Sequence, residues 1–213
     1  MAHLALIDYG SGNLHSAERA LRVAAEHAGI SVDINVTADP ARIESADRIV
    51  LPGVGHFADC AKGLFARDGL VEALSAAVRQ RGVPFLGICV GMQLLATRGL
   101  EDGVTPGLGW IEGDVDRIEP GADLKVPHMG WNGLQIDRAH PVLDNLGADP
   151  HVYFTHSYAF EPAHQSDVVA MTDYGSKIVA VVGRNNLVAT QFHPEKSQRV
   201  GLTILSNFLG WTP

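Results

Sequence analysis

Short apolar runs and helix-like patterns alternate through the first half of this chain, and that alternation leaves few architectures open. His3 to Asp8 (HLALID), Ser31 to Val36, Arg48 to Leu51 (RIVL) and Phe85 to Ile88 read as strands. Between and after them, Leu14 to Ala28, Phe57 to Ala66, Val71 to Gln80 and Val90 to Thr97 read as helices. The first of these carries apolar residues at Leu14, Ala17, Leu21, Ala24, Ala25 and Ala28. Gly29 and Gly82 stand where helix-ending glycines belong. Strands and helices spaced in this way form a mostly parallel sheet with helices on both faces. From Gly109 on the pattern changes to short alternating segments. Trp110 to Ile118, Leu134 to Ile136, Val152 to Phe160, Val168 to Thr172, Ile178 to Arg184 and Leu187 to Phe192 suggest antiparallel strands. Asp173-Tyr-Gly175 and Arg184-Asn-Asn186 supply turns, and Ser197 to Leu209 a closing helix. With no linker, repeat or low-complexity tract, residues 1–213 read as a single α/β domain.

Composition removes several functional classes. Apolar residues at 46% and charged residues at 19% fit a folded globular chain. A formal net charge of −8, with no basic run, argues against a nucleic-acid-binding face. No apolar stretch has membrane-spanning length, and the opening MAHLALIDYG lacks a basic leader, so a cytoplasmic protein is expected. Two cysteines, Cys60 and Cys89, make a disulfide framework improbable. Ten histidines raise the question of a metal. HExxH, cysteine pairs and calcium-loop spacing are all missing from the sequence, so no metal or cofactor is expected.

The chemistry concentrates at FLGICVGMQLL, residues 85–95. Cys89 stands between Gly87 and Gly91 where a strand runs into a helix. Glycines there allow close approach of strand and helix and push the intervening side chain into the open, as in the nucleophile elbow of G-x-S-x-G hydrolases. A following helix would aim its N-terminal N–H groups at the sulfur and favour thiolate. A free cysteine in an apolar run is as often a small core residue, so this motif alone leaves the two readings even. His193 and Glu195 lie two apart in TQFHPEKS and share one face of an extended segment. A histidine oriented by a carboxylate, with its other nitrogen toward a thiol, is the arrangement of acyl transfer. The bland alternative is a strand-end histidine beside a solvated glutamate, and it loses ground once Cys89 is counted. Pro52-Gly-Val-Gly55 follows a strand, and its N–H groups could serve a developing oxyanion together with that of Val90.

GICVGMQ, PGVG, HSY and QFHPEKS together resemble the class I, triad-type glutamine amidotransferases. YGSGN near the N-terminus and PHMGWN at Pro127 to Asn132 narrow the resemblance to the glutaminase subunits of imidazole glycerol phosphate synthases. The resemblance runs from Asp8 to about Ser197. Val90 stands where leucine is usual, and Ala96-Thr97-Arg98-Gly99 replaces a more acidic stretch. The resemblance implies a flavodoxin-like mixed sheet, no cofactor, and glutamine hydrolysis by Cys89 with His193 as base and Glu195 orienting it. It further implies an oxyanion site of Gly53, Val54 and Val90. Glutamine would be held by Gly53, Gln93, Glu101, Thr155, His156 and Ser157. The partner would be a separate (β/α)₈ cyclase subunit, met by Asn13, His128, Met129, Trp131 and Lys196, with ammonia passing across. Without the resemblance, Glu101 is a helix-end charge, His156 a core histidine and Trp131 a core aromatic in a loop.

Three other readings compete. A glutaminase of another pathway, such as pyridoxal phosphate synthesis, would use the same triad, but YGSGN and PHMGWN argue against it. A non-catalytic subunit of this fold would be expected to have lost Cys89, His193 or Glu195, and all are present. A stand-alone thiol hydrolase differs in needing no partner.

Overall fold

The computed structural model describes residues 2–121 and 124–213. In chain order its first half contains β1 (Ala2–Ile7), α1 (Leu14–Ala28), β2 (Val32–Thr37), α2 (Pro40–Glu44), β3 (Arg48–Gly53), α3 (Phe57–Phe65), α4 (Leu70–Ser75), β4 (Phe85–Cys89) and α5 (Val90–Gln93). The second half contains β5 (Arg98–Gly99), β6 (Thr105–Pro106), β7 (Gly113–Arg117), β8 (His128–Gly133), β9 (Gln135–Ile136), β10 (His151–His156), β11 (Tyr158–Pro162), β12 (Val168–Asp173), β13 (Lys177–Arg184), β14 (Leu187–Thr190) and α6 (Gln198–Gly210).

Eight strands form the main sheet in the order β2-β1-β3-β4-β14-β13-β12-β9. The pairs from β2 through β14 are parallel, and those from β14 to β9 antiparallel. The parallel part has the doubly wound, flavodoxin-like order, with its last strand supplied late in the chain. Successive residues Leu4, Ala5, Leu6 and Ile7 of β1 are all fully buried. Neighbouring strand residues point to opposite faces, so both faces of this sheet are covered. α1 packs against α6, and α2 against α4. A four-stranded sheet, β11-β7-β5-β6, and the pair β10-β8 lie beyond the main sheet.

Local chemistry explains the ends of α1. Asn13 accepts a hydrogen bond from the Ser16 N–H at 3.3 Å, and Gly29 takes a left-handed conformation at φ 64°. The short α2 carries too few turns to show an apolar period. Asp39 caps it, accepting from the Ala41 N–H, and Pro40 begins it.

Four expectations need correction. The helix expected over Val90 to Thr97 stops at Gln93. Beyond it, the carbonyls of Leu94, Leu95 and Ala96 accept from the amides of Leu108, Trp110 and Gly109, so a loop rather than a further turn satisfies them. The strand expected over Val152 to Phe160 breaks at Ser157, whose carbonyl accepts from the Ile118 N–H. Its halves β10 and β11 join different sheets. The loop expected around Trp131 is the strand β8, paired antiparallel to β10 with Trp131 opposite Tyr153. Glycines at positions 130 and 133 interrupt its side-chain alternation, which hid it. The segment from Leu187 is antiparallel to β13 as expected but parallel to β4 on its other side.

Candidate active site

Cys89 is the last residue of β4, in the middle of the parallel sheet, with Gly53 of β3 opposite it in register. The carboxyl ends of such strands are where open α/β sheets place reactive groups. Its φ of 54° and ψ of −111° lie in a region that residues with a side chain rarely occupy. Such a conformation costs of order 1–3 kcal/mol and persists only where the surroundings impose it. Here the close approach of β3, β4 and α5 imposes it. A Cβ on Gly91 would lie 1.9 Å from the Leu51 carbonyl oxygen, and one on Gly53 2.7 Å from the Gly91 nitrogen.

His193 follows β14 and precedes the single 3₁₀ turn Pro194–Lys196, which brings Glu195 back to the ring. Nδ1 and Glu195 Oε1 are 2.7 Å apart, and both side chains are almost completely buried. The carboxylate can only accept, so Nδ1 carries the hydrogen and Nε2 is the nitrogen available for chemistry. Nε2 makes no hydrogen bond among the described residues. Burial alone would lower the pKa of His193. The neighbouring Cys89 sulfur and the Glu195 carboxylate outweigh it and raise the value to about 9. The backbone beneath the ring is tied down by Ser197, whose hydroxyl donates to the His193 carbonyl at 2.7 Å and accepts from the Tyr153 N–H at 3.0 Å. From sequence, Ser197 reads only as a helix start. Nothing in its spacing announces this buried role.

Cys89 and His193 open onto a cavity of about 470 Å³ that Gln93, Glu101, Thr155 and Ser157 also line. Glu101 accepts a hydrogen bond from the Phe57 N–H at 2.8 Å, which fixes its carboxylate at the cavity wall. Gln93 donates both hydrogens of its amide nitrogen to protein, at 3.0 Å each to the Tyr158 carbonyl and Gln191 Oε1. Its own Oε1 is therefore the atom left to meet a ligand. His156 also lines this cavity, with its ring bonded to protein. Its Nδ1 bonds the Tyr158 carbonyl at 2.9 Å and its Nε2 lies 3.0 Å from His128 Nδ1. Both ring nitrogens are therefore engaged within the protein, while the residue lines the cavity beside Thr155 and Ser157.

Of the expected loop Pro52 to Gly55, Pro52 and Gly53 belong to β3, and Val54 just beyond the strand is engaged elsewhere. The Val54 N–H donates to Ser11 Oγ at 3.3 Å, and the Val54 carbonyl accepts from the same hydroxyl at 2.8 Å and from Cys60 Sγ at 3.3 Å. Of the amides expected to serve an oxyanion, that of Val90 directly follows Cys89, while that of Val54 is directed to Ser11. Gly53 does not line the cavity; its lack of a side chain lets Gly91 pass. Burial pushes the Cys60 thiol up, so it faces the loop as a neutral donor.

Asn13 and Lys196 lie on the cavity rim, and Met129 and Trp131 are exposed on β8, at 62% and 48%. Two large apolar side chains are thus exposed two residues apart on one strand. His128 does not join them. Its ring is buried, stacked on Phe154 at 4.6 Å and on Tyr174 at 4.0 Å between centroids, and Asn132 Nδ2 lies 3.2 Å from its Nε2. It stiffens β8 from behind. No group of His, Cys, Asp and Glu among the described residues is arranged to hold a metal ion, and no described helix is long and apolar enough to cross a membrane.

The family model described as glutamine amidotransferase class-I matches residues 5–210. Curated relatives named imidazole glycerol phosphate synthase subunit HisH are 55% identical in Brucella suis biovar 1 and in Rhodopseudomonas palustris, over 99% of this chain and of each relative. The Caulobacter vibrioides protein of that name is 54% identical over both full lengths. Among solved structures, one titled a glutamine amidotransferase superposes with a TM-score of 0.70 at 19% identity, covering 97% of this chain and 99% of that one. A glutamine amidotransferase from Thermotoga maritima gives 0.60 at 17%, covering 93% of this chain and 78% of that one. The chain belongs to the class I glutamine amidotransferases and, within them, to the HisH subunits of imidazole glycerol phosphate synthase.

Proposed function

We propose that this chain, as one amidotransferase domain, is the glutaminase subunit of imidazole glycerol phosphate synthase, with Cys89, His193 and Glu195 as its catalytic triad. The observation carrying the reading is a strained cysteine and a Glu195-oriented histidine with a free Nε2, opening together onto one cavity. The Cys89 thiolate attacks the side-chain carbonyl carbon of glutamine. The oxygen takes the developing negative charge beside the Val90 N–H, and His193 delivers a proton from Nε2 to the departing nitrogen. Ammonia leaves, and glutamate remains as a γ-glutamyl thioester on Cys89. Water then attacks, giving up a proton to His193, and glutamate and the thiolate are released. Over the cycle glutamine and water become glutamate and ammonia.

Glu101 supplies the anionic partner for the substrate's ammonium, Gln93 Oε1 a second contact, and Thr155 and Ser157 the side of its carboxylate. The ammonia passes to a (β/α)₈ cyclase subunit docked on the face bearing Asn13, Met129, Trp131 and Lys196. There it enters the step that yields imidazole glycerol phosphate and the aminoimidazole carboxamide ribotide of histidine biosynthesis. The carbon–nitrogen lyase step belongs to that partner. The tie between the Val54 N–H and Ser11 supports a low resting activity. Docking would shift the loop population toward one in which this amide serves the oxyanion, a donor worth roughly a hundredfold to a thousandfold in rate.

Mixing the chain with the cyclase and its nucleotide tests the reading. Glutamine turnover should rise strongly on addition of both, and Trp131→Ala should blunt the rise while sparing the basal rate. Full turnover by the isolated chain would remove the partner-dependent switch. No turnover under any condition would remove the glutaminase reading.

A further inference from the structure

Cys89 Sγ has a hydrogen-bond donor that lies outside the triad. Gln191 stands between the end of β14 and Phe192, fully buried, and its Nε2 lies 3.7 Å from the sulfur. An amide can in principle present either end, but the surrounding bonds choose here. Gln93 spends both hydrogens of its amide nitrogen on acceptors, one of them Gln191 Oε1. Turning Gln191 over would set two NH₂ groups against each other inside the protein and aim an oxygen at the sulfur. Gln93 is itself held, because the Tyr158 carbonyl that accepts from it also accepts from His156 Nδ1. The chain His156, Tyr158 carbonyl, Gln93, Gln191 thus ends with an N–H facing Cys89 from a fully buried side chain.

Such a donor has a specific consequence. Hydrogen bonding to the charged form of a group favours that form, and the effect grows where water does not compete. The helix that follows the nucleophile has only four residues, so its dipole contributes little. The other titratable groups around the sulfur are few. His193 favours thiolate. Tyr9 and Cys60 are held protonated by burial and carry no charge. Glu101 and Lys196 stand at the cavity wall and rim. We propose that Gln191 is a positioning residue for the reaction, holding Cys89 Sγ by an N–H···S bond that favours its thiolate form. This deepens the glutaminase reading by resting on Cys89 as the nucleophile.

The pH dependence of Cys89 alkylation by iodoacetamide, followed by peptide mass spectrometry with Cys60 as internal comparison, tests the proposal on the whole chain. Gln191→Met keeps much of the shape without the donor, and Gln191→Glu keeps the shape with an anion; thermal melts report folding. The alkylation midpoint should rise by about one pH unit in the methionine variant, about tenfold less thiolate below it, and further in the glutamate variant. Glutamine turnover should show kcat down about tenfold near neutrality and recovering as pH rises, with KM within about twofold. Midpoints equal to wild type in the folded variants would overturn the proposal. Should neither variant fold, Gln93→Met, which leaves Gln191 in place but frees its amide to turn, should move the midpoint the same way, and no movement there overturns it equally. Alkylation does not require Cys89 to be catalytic. The nucleophile reading therefore fails separately, if Cys89→Ser keeps glutaminase activity.

Discussion

Replacing Glu195 by glutamine changes one oxygen into an amide nitrogen inside the protein and leaves the shape almost unaltered. Glu195 Oε1 lies 2.7 Å from His193 Nδ1, and the carboxylate is 4% exposed, so water cannot take its place. A buried hydrogen bond to a charged group is worth about 1.5–3 kcal/mol, which alone is roughly tenfold to a hundredfold in rate if it is realised in the transition state. Two further losses add to it. The substitution removes one of the two groups that raise His193 to about 9, so the imidazolium that must protonate the leaving nitrogen forms less readily. The amide can also turn its NH₂ toward Nδ1, which moves the ring hydrogen to Nε2 and leaves no base facing the thiol. Amidating the acid of a comparable triad costs about 10⁴ in kcat. For Glu195→Gln we therefore expect kcat to fall by between about a hundredfold and about ten-thousandfold. KM for glutamine should stay within about threefold, since Glu101, Gln93 and Ser157 are untouched. The assay is ammonia release by the complex with cyclase and nucleotide, with a thermal melt as the folding control. A folded variant with kcat within about threefold of wild type would refute the reasoning and require another group to orient His193.

Two other outcomes follow from the same geometry. Gly91→Ala places a methyl carbon 1.9 Å from the Leu51 carbonyl oxygen, so β3 and α5 must part; we expect a loss of more than about 4 kcal/mol or no soluble product, and a melting temperature near wild type would contradict the packing. Burial holds His128, His140 and His156 each near pKa 4, well under the ordinary 6.5. Groups depressed in this way take up protons on unfolding, so their contribution to stability should be complete above about pH 6.5 and be lost as pH drops toward 4, while that of His193, raised to about 9, is lost in the opposite direction as pH climbs from 6.5 through 9. At about 1.36 kcal/mol per unit the acid-side loss is on the order of 3 kcal/mol for each depressed histidine. Denaturant titrations across the acid window should show the fall, and its absence would mean that these rings are solvated.

Much of the fold was legible because the parallel strands are buried on both faces and α1 has an amphipathic period with its capping residues in place. Leu14 to Ala28 matches the helix end to end. What escaped was set by contacts distant in sequence. Nothing near Gln93 announces that residues 107–111 will take up the carbonyls that a longer helix would have satisfied. The strand around Trp131 is hidden by its glycines and defined only by pairing with β10. At the site, motifs located Cys89, His193 and Glu195, whose chemistry depends on residue type at short spacing. They could not show that His128 and His156 face each other inside, that Ser11 holds the Val54 amide, or that Gln191 reaches the sulfur. Each of these rests on a pairing more than 25 residues apart in the chain. Gln191 did carry one signal, an amide side chain two residues before the histidine, just past the end of β14.

The most direct measurement treats the complex with a glutamine-mimicking electrophile and locates the adduct by peptide mass spectrometry. Both cysteines are buried and only Cys89 lines the cavity, so protection by glutamine and parallel loss of activity, rather than labelling alone, carry the test. A single adduct on Cys89, blocked by excess glutamine and formed in step with loss of ammonia release, is the expected result. An adduct on Cys60, or full inactivation with Cys89 unmodified, would contradict the assignment of Cys89 as the nucleophile.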